Sequence, residues 1–387
     1  CLVGSEMCIR DRCTVGASTG TVSITGAGTC VISSTVAQGN LHMAATTTTN
    51  ASITINPKAL TITASSHSLT YGDLTPTITP SYSAFAYNET ASDLSTPPSC
   101  STTYTTTSTA LVDVPTACTG AASQNYSISY VAGVITIAKQ SIAVTFDSAS
   151  LMQVFNGSAR VVTATTSVVG RKLIFTFTPI GGDGQSVTTP PTNAGMYSVV
   201  ATVSEANYEG SAFATLLVDR ADQTPLKFAN GTSAQYGSTL QLVVLGGSGS
   251  GALTYRVRSG KCAISAIGLL TNTGAGSCVI RAIKAASANH VAATSEDLTV
   301  TVKKQDQTLE WVSMLPSSPI AGSSYIPGVR SSADLTAIIS ITTGENTACS
   351  IKQGVVTFLN KGDCVLNARQ NGNTNFNSAT PITQTIK

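Results

Sequence analysis

Three stretches of the chain share one pattern of paired cysteines, and this repetition constrains the fold more than any other feature. The copies are Cys13-TVGASTGTVSITGAGT-Cys30-VISSTVAQGNLHMAA, Cys262-AISAIGLLTNTGAGS-Cys278-VIRAIKAASANHVAA and Cys349-SIKQGVVTFLNKGD-Cys364-VLNARQNGNTNFNSA. In each, a glycine stands two residues before the second cysteine, and Val-Ile or Val-Leu follows it. We interpret each copy as two adjacent strands tied by a disulfide, in a chain built of repeated units.

The last two copies set the size of the unit. Asp222-Gln223-Thr224 recurs as Asp306-Gln307-Thr308, and Cys278 recurs as Cys364, so one module has about 84 residues. We therefore predict complete modules at 221–303 and 304–387. Residues 13–56 hold only the second half of such a module.

Two modules of a second type are predicted between them, at 57–138 and 139–220. The first runs from Pro57 through Tyr71-Gly72-Asp73 to Ile137 and contains Cys100 and Cys118, whereas the second contains no cysteine. Each ends on a short apolar strand, and the next module begins within a few residues. Short linkers predict a semi-stiff string.

These residues carry a family resemblance. The opening PKALTITA with YGD, and the closing NAGMYSVVATVSEANYEG, resemble the bacterial MBG repeat. The three paired-cysteine units resemble bacterial Ig-like repeats of large surface proteins. Together the resemblance covers nearly everything after residue 12, and it implies a β-sandwich, an adhesive or structural setting and no catalytic residue.

Strand patterning leads to the same fold class. Apolar residues alternate with threonine in Thr61-Ile62-Thr63, Ile135-Thr136-Ile137 and Leu298-Thr299-Val300-Thr301-Val302, as expected of half-buried strands. Charged residues make up only 10% of the chain, too few for typical helical surfaces. We predict an all-β fold of tandem immunoglobulin-like β-sandwich modules in an extended string.

The first twelve residues, CLVGSEMCIRDR, share no pattern with the rest. They resemble the in-frame translation of a transposase adapter used in sequencing libraries, so we exclude residues 1–12 from the fold as a non-native scar. We accordingly expect the native N-terminus to be missing.

The remaining cysteines form four close pairs. Candidates for disulfides are Cys13, Cys30, Cys100, Cys118, Cys262, Cys278, Cys349 and Cys364. An even number at short spacing favours disulfides, with two buried reduced cysteines per module as the alternative. Zinc is not indicated, because neither CxxC nor histidine partners cluster. Disulfides predict an extracellular or cell-surface location.

Charge and hydropathy exclude two partners. The formal net charge of +2 comes without a basic block, so nucleic acid is not predicted as a partner. No run approaches about 20 apolar residues, so no membrane span is predicted.

Candidates for catalysis are few. His42 and His290 share one repeat position, where the third copy carries Phe376, so we assign that position to packing. His67 lies before the turn of Asp73, the only carboxylate close in sequence, and we interpret it as a solvated turn residue. Gly16-Ala17-Ser18-Thr19-Gly20 matches GxSxG by chance, because no helix pattern follows it. No catalytic residue or cofactor is predicted.

Candidates for ligand binding are also weak. The Gly246–Gly251 stretch lacks the following Lys-Ser or Lys-Thr of a phosphate loop, and we interpret it as a hairpin connection. Gly181-Gly182-Asp183-Gly184 has one carboxylate, so no metal site is predicted; calcium held by backbone oxygens is the alternative. Trp311 is the only tryptophan, which gives a carbohydrate site little support. Glycosylation sequons occur at Asn50, Asn88, Asn125, Asn156 and Asn230.

The sequence therefore predicts a non-catalytic extracellular repeat region, the stalk or fibre of a microbial surface protein. Its expected partners are cell-surface or matrix components, including glycans or copies of itself. The alternatives are a glycan- or protein-binding module, or the accessory region of a large secreted enzyme.

Overall fold

The computed structural model describes residues 12–16, 20–33, 35–36, 43–46, 51–182 and 184–387. The described part is all-β, apart from two short 3₁₀ turns at Ala91–Asp93 and Ser148–Leu151. Among these residues, every strand pairing lies within one of five segments, 13–56, 57–138, 139–220, 221–303 or 304–387. The predicted all-β tandem fold is confirmed.

Segment 13–56 contains three antiparallel strand pairs. Its strands are β1 (Cys13–Val15), β2 (Val22–Ile24), β3 (Gly28–Ile32), β4 (Thr35–Val36), β5 (Ala45–Thr46) and β6 (Ala51–Ile55). β1 pairs with β2, β3 with β6 and β4 with β5. Cys13 and Cys30 are buried.

Segment 57–138 is a two-sheet sandwich. Its strands are β7 (Lys58–Ala64), β8 (His67–Thr70), β9 (Pro80–Tyr82), β10 (Ser99–Thr102), β11 (Val114–Thr119), β12 (Tyr126–Val131) and β13 (Gly133–Ala138). They form the sheets β10-β11-β13-β8 and β12-β7-β9. Alternation along β7 buries Leu60, Ile62 and Ala64 while the threonines between them stay partly exposed, as the period of a strand requires.

Segment 139–220 is built around one four-stranded sheet. Its strands are β14 (Gln140–Ser141), β15 (Val144–Phe146), β16 (Met152–Val154), β17 (Ala164–Thr166), β18 (Leu173–Pro179), β19 (Gly195–Val203), β20 (Tyr208–Glu209) and β21 (Ser211–Asp219). The main sheet is β16-β21-β19-β18, and β15-β17 and β14-β20 are two-stranded. The core contains Val162, Phe177, Val199, Leu216 and Val218.

Segment 221–303 has two larger sheets. Its strands are β22 (Lys227–Phe228), β23 (Ser233–Gln235), β24 (Thr239–Gln241), β25 (Val244–Leu245), β26 (Leu253–Ser259), β27 (Cys262–Ile264), β28 (Leu269–Asn272), β29 (Gly276–Lys284), β30 (Ala293–Thr294) and β31 (Leu298–Lys303). One sheet is β23-β31-β29-β26, with β30 also on β29, and the other is β24-β28-β27.

Segment 304–387 repeats much of that arrangement. Its strands are β32 (Leu309–Trp311), β33 (Ser324–Tyr325), β34 (Val329–Ser331), β35 (Ile338–Thr343), β36 (Cys349–Lys352), β37 (Val355–Phe358), β38 (Cys364–Arg369) and β39 (Ile382–Ile386). The sheets are β33-β37-β36 and β35-β38-β39, and β32 pairs with β34.

The closing strand has the same kind of partner in three segments. β13 runs parallel to β8, β21 to β16 and β31 to β23. An aromatic residue, Tyr71, Phe155 or Tyr236, directly follows each partner strand. Its backbone N–H donates to the carbonyl of the last residue of the closing strand, which is Ala138, Asp219 or Lys303, at 2.8 to 2.9 Å. An aromatic residue is thereby held where one segment ends and the next begins.

Candidate functional site

The cysteines predicted to pair lie within bonding distance of their partners. The disulfides are Cys13–Cys30, Cys100–Cys118, Cys262–Cys278 and Cys349–Cys364. Cys100 and Cys118 face each other on the paired strands β10 and β11.

The other three bridges correct one interpretation made from the sequence. We expected adjacent strands, but in all three the two cysteines belong to different sheets: Cys13 and Cys30, Cys262 and Cys278, and Cys349 and Cys364. In the last two copies, the strand that carries the first cysteine forms a hairpin with the next strand, β28 or β37. The chain then crosses to the opposite sheet before it reaches the second cysteine. These disulfides therefore tie the two sheets together through the core.

Among the described residues, His67 and His290 belong to no catalytic grouping. His67 begins β8 and is half-buried, which corrects its interpretation as a solvated turn residue. His67 contacts the Ser65 hydroxyl through Nε2 at 2.9 Å, while the carboxylate of Asp73 accepts from the N–H of Thr70 at 2.7 Å. The ring of His290 packs on Phe155. His42 and the serine of the GxSxG match lie outside the described residues.

The glycine-rich stretch is not the hairpin connection that we expected, because β25 before it pairs with β22 and β26 after it pairs with β29. Gly246 adopts a φ of +92°, and a Cβ added there would lie 2.1 Å from the carbonyl oxygen of Pro225. Gly249 donates its N–H to the side-chain oxygen of Gln223 at 3.1 Å. These contacts hold the loop against the start of its own segment.

In the part of the chain that the structure describes, no three His, Cys, Asp or Glu side chains are grouped to hold a metal, and no helix is long and apolar enough to cross a membrane. Asp183 and Asn50 lie outside that part. Trp311 is half-buried and packs against the core of its own segment.

A contact that sequence reasoning missed recurs at each junction between consecutive segments. A side-chain oxygen of an asparagine accepts a hydrogen bond from a backbone N–H of the preceding segment. The pairs are Ala27 to Asn125 at 3.1 Å, Ala110 to Asn207 at 2.9 Å, Ala194 to Asn289 at 2.8 Å and Ala275 to Asn375 at 3.0 Å. We call Asn125, Asn207, Asn289 and Asn375 the joint asparagines.

Each joint asparagine is also anchored within its own segment. Its backbone carbonyl accepts from an N–H at the start of that segment, donated by Lys58, Gln140, Ala221 and Gln305 respectively, at 2.9 to 3.0 Å. The main chain of the asparagine thus belongs to one segment while its side chain reaches the other. A single residue connects both.

An aromatic residue follows each joint asparagine, and three of these rings cross the junction. Tyr208 packs on Tyr71, His290 on Phe155 and Phe376 on Tyr236, with ring centroids 5.3 to 5.4 Å apart and planes inclined by 70° to 80°. Edge-to-face pairs at this distance are favourable beyond their area burial.

The fourth ring, Tyr126, packs within its own segment. Its ring lies edge-on to Phe85, its hydroxyl donates to Glu89, and the N–H of Ala86 donates to that hydroxyl. Burial is the main cause that raises the pKa of Tyr126 above its usual value, so the phenol stays neutral.

Two models of known protein families match the middle of the chain. Residues 60–136 match the MBG domain of YGX type, and residues 143–222 match the MBG domain. Two segments of the chain therefore match MBG domains, and we call 57–138 and 139–220 the MBG segments. Tyr71-Gly72-Asp73 in the first fits the YGX letters, and the resemblance predicted from the opening and closing stretches is confirmed for these MBG segments.

No curated protein matches the sequence. Solved structures that resemble the chain include mouse protocadherin-24 EC1-3 (12% identity, 61% of this chain and 95% of that one, TM-score 0.26) and Drosophila N-cadherin EC1-4 (9%, 71% and 81%, TM-score 0.22). Domains 1-6 of the surface layer protein SbsC also resemble it (15%, 70% and 44%, TM-score 0.21). TM-scores this low do not establish a shared arrangement of domains.

Proposed function

We propose that this region is a non-catalytic extracellular spacer, the stalk or fibre of a microbial surface protein, with the five segments as its modules. One observation carries the proposal: the same asparagine contact spans all four junctions among the described residues. A chain whose modules only needed to be tethered would not require a repeated contact at every junction.

The junctions also leave little slack. Only Lys139 separates β13, the closing strand of the first MBG segment, from β14, the first strand of the next. Within that span the linker is held by backbone hydrogen bonds on both sides, at Ala138 and at Gln140. Short, bonded linkers support a semi-stiff string.

Disulfides support the extracellular part of the proposal. A small sandwich gains about 3 kcal/mol from a bridge that closes a loop of about 15 residues. Such bonds persist in oxidising compartments outside the cytoplasm. The expected setting is the cell surface or the matrix, with surface components, glycans or copies of the chain as partners and no nucleic acid.

A binding role is the second candidate, and one observation favours it. A groove of about 650 Å³ lies beside the junction of the second MBG segment with segment 221–303. Apolar Val154, Met196 and Leu217 line it together with Asp219 and Arg220. A role as accessory region of a secreted enzyme is the third, and its catalytic domain would lie outside these residues.

Small-angle X-ray scattering of the chain tests the spacer proposal. We expect a rod-like particle, whose maximum dimension shortens by one module when residues 221–303 are deleted. A compact particle, or one whose dimension does not change on deletion, would contradict it. Binding in a glycan array at the groove, lost in a Met196→Glu variant, would favour the second candidate.

A further inference from the structure

We infer that the joint asparagine and the ring after it form a coupling element between neighbouring segments. It binds a receiving site at the end of the preceding segment, works between both module types and needs no metal ion. The inference concerns only how neighbours are coupled. It would stand even if the chain served as something other than a spacer.

The receiving site has two parts that occur together in segments 57–138, 139–220 and 221–303. The first is the ring of Tyr71, Phe155 or Tyr236. The second is the backbone N–H of Ala110, Ala194 or Ala275. The residue after each of these alanines has a positive φ, which is +62° at Leu111, +156° at Gly195 and +132° at Gly276. The donor N–H thus precedes a residue of positive φ in all three segments.

The four junctions include every ordered combination of module types. Asn125 joins a paired-cysteine segment to an MBG segment, and Asn207 joins two MBG segments. Asn289 joins an MBG segment to a paired-cysteine segment, and Asn375 joins two paired-cysteine segments. The oxygen-to-nitrogen distance varies only from 2.8 to 3.1 Å among them. The asparagine contact is therefore not restricted to one kind of sandwich, and the ring pair accompanies it at the last three junctions.

The ring varies in identity while its geometry does not. Tyr208, His290 and Phe376 share neither a hydroxyl nor a charge, yet their centroid distances differ by only 0.1 Å. The receiving site therefore selects a flat ring in an edge-to-face arrangement. Any of the three rings should therefore function at any of the three junctions.

Two of the linkers already place a lysine ammonium group on a backbone carbonyl oxygen. Lys139 donates through Nζ to the carbonyl of Glu205 at 3.0 Å, and Lys304 donates to the carbonyl of Asn373 at 2.7 Å. These ammonium groups occupy carbonyl oxygens beside two of the junctions. A neutral amide and a ring pair instead hold the junction, so chelation should not loosen it.

Pulsed electron paramagnetic resonance on the full chain tests the inference at Asn289. Spin labels attached through unnatural amino acids at positions 169 and 267 use side chains that are 88% and 74% exposed, one in each segment. We expect a narrow distance distribution, unchanged by EDTA or by added calcium. The double variant Asn289→Ala with His290→Ala should broaden it, whereas His290→Phe and His290→Tyr should leave it narrow.

Asn230→Ala is the matched control. Its side-chain oxygen also accepts a backbone N–H, from Val243 at 2.8 Å, but within segment 221–303. It should lower the melting temperature of that segment without broadening the distribution. A double variant that stays narrow, or a wild type that broadens in EDTA, would overturn the inference.

A second variant covers the case in which the double variant unfolds segment 221–303, as hydrogen exchange would show. Ala194→Pro removes the donor N–H from the other side of the junction and leaves segment 221–303 untouched. It should broaden the distribution while both segments keep their exchange protection. An unchanged distribution in this variant would likewise overturn the inference.

Discussion

Gln223 and Gln307 give the recurring Asp-Gln-Thr motif its physical meaning. Both side chains are buried, at 7% and 6% exposure, and both are hydrogen-bonded. Gln223 donates to the carbonyls of Ala285 and Val291 and accepts from Gly249. A buried polar side chain of this kind stabilises the fold only because its hydrogen bonds are made. Its removal leaves the backbone groups that it bonded without partners.

We therefore expect Gln223→Ala to destabilise segment 221–303 by about 2 kcal/mol, the cost of leaving buried backbone carbonyls without donors. Urea unfolding followed by hydrogen exchange mass spectrometry would assign the loss to that segment. Gln235→Ala, at an exposed position of the same segment, is the control and should change little. Equal losses for the two variants would argue against the assigned role.

At the scale of elements, the disulfides act in two ways. Cys100–Cys118 links strands that are already hydrogen-bonded to each other, whereas Cys262–Cys278 joins two sheets that share no strand pairing. Cys278 is fully buried beside Leu270 and Ile280. The inter-sheet bridge therefore restrains the sandwich where hydrogen bonds do not.

Replacing Cys262 and Cys278 by serine should lower the free energy of unfolding of segment 221–303 by about 3 kcal/mol or more, because the closed loop is lost and a buried hydroxyl is introduced. Guanidinium unfolding resolved by hydrogen exchange would measure it. Segment 139–220, which has no cysteine, is the internal reference and should keep its stability in both proteins. A loss shared by all segments would show that they do not unfold independently.

For the whole molecule, the modules should extend unequally under load. The parallel pairs β8–β13, β16–β21 and β23–β31 tie each closing strand to an early strand of its own segment. A pulling force therefore acts along several hydrogen bonds at once. Once a segment opens, its disulfide keeps the enclosed loop from extending, and only segment 139–220 is free of this restraint among those described.

Single-molecule pulling on the chain tests this expectation. Reduction should lengthen the extension of segment 221–303 by about 50 to 60 Å, because the Cys262–Cys278 separation of 16 residues spans ~3.5 Å per residue when extended. The event from segment 139–220 should keep its length in reducing and oxidising buffer. Increments that are identical in both buffers for every segment would contradict the assigned disulfides.

Much of this architecture can be predicted from local sequence patterns. Alternation of apolar residues with threonine predicted strands such as β7 and β13, since the two faces of a strand exchange at every residue. The repeated spacing of Cys278 and Cys364 predicted the length of the unit. The shared position of His290 and Phe376 predicted a packing ring, which is where the structure places both.

The joint asparagines show what local sequence could not reveal. Asn before an aromatic residue is ordinary turn chemistry, and nothing nearby in the chain identifies its partner. The only signal was its recurrence at Asn125, Asn207, Asn289 and Asn375 across two module types, of which a comparison limited to the paired-cysteine units shows only Asn289 and Asn375.

The sequence by itself determined the all-β class, the period of the repeat and the pairing of cysteines, because these depend on side-chain alternation and on residues close along the chain. Tertiary structure alone decided that Cys262 and Cys278 belong to opposite sheets, and that Asn289 accepts from Ala194 in another segment. Both facts depend on where distant backbone is brought in space. Folding of each sandwich supplies that position, and no local pattern encodes it.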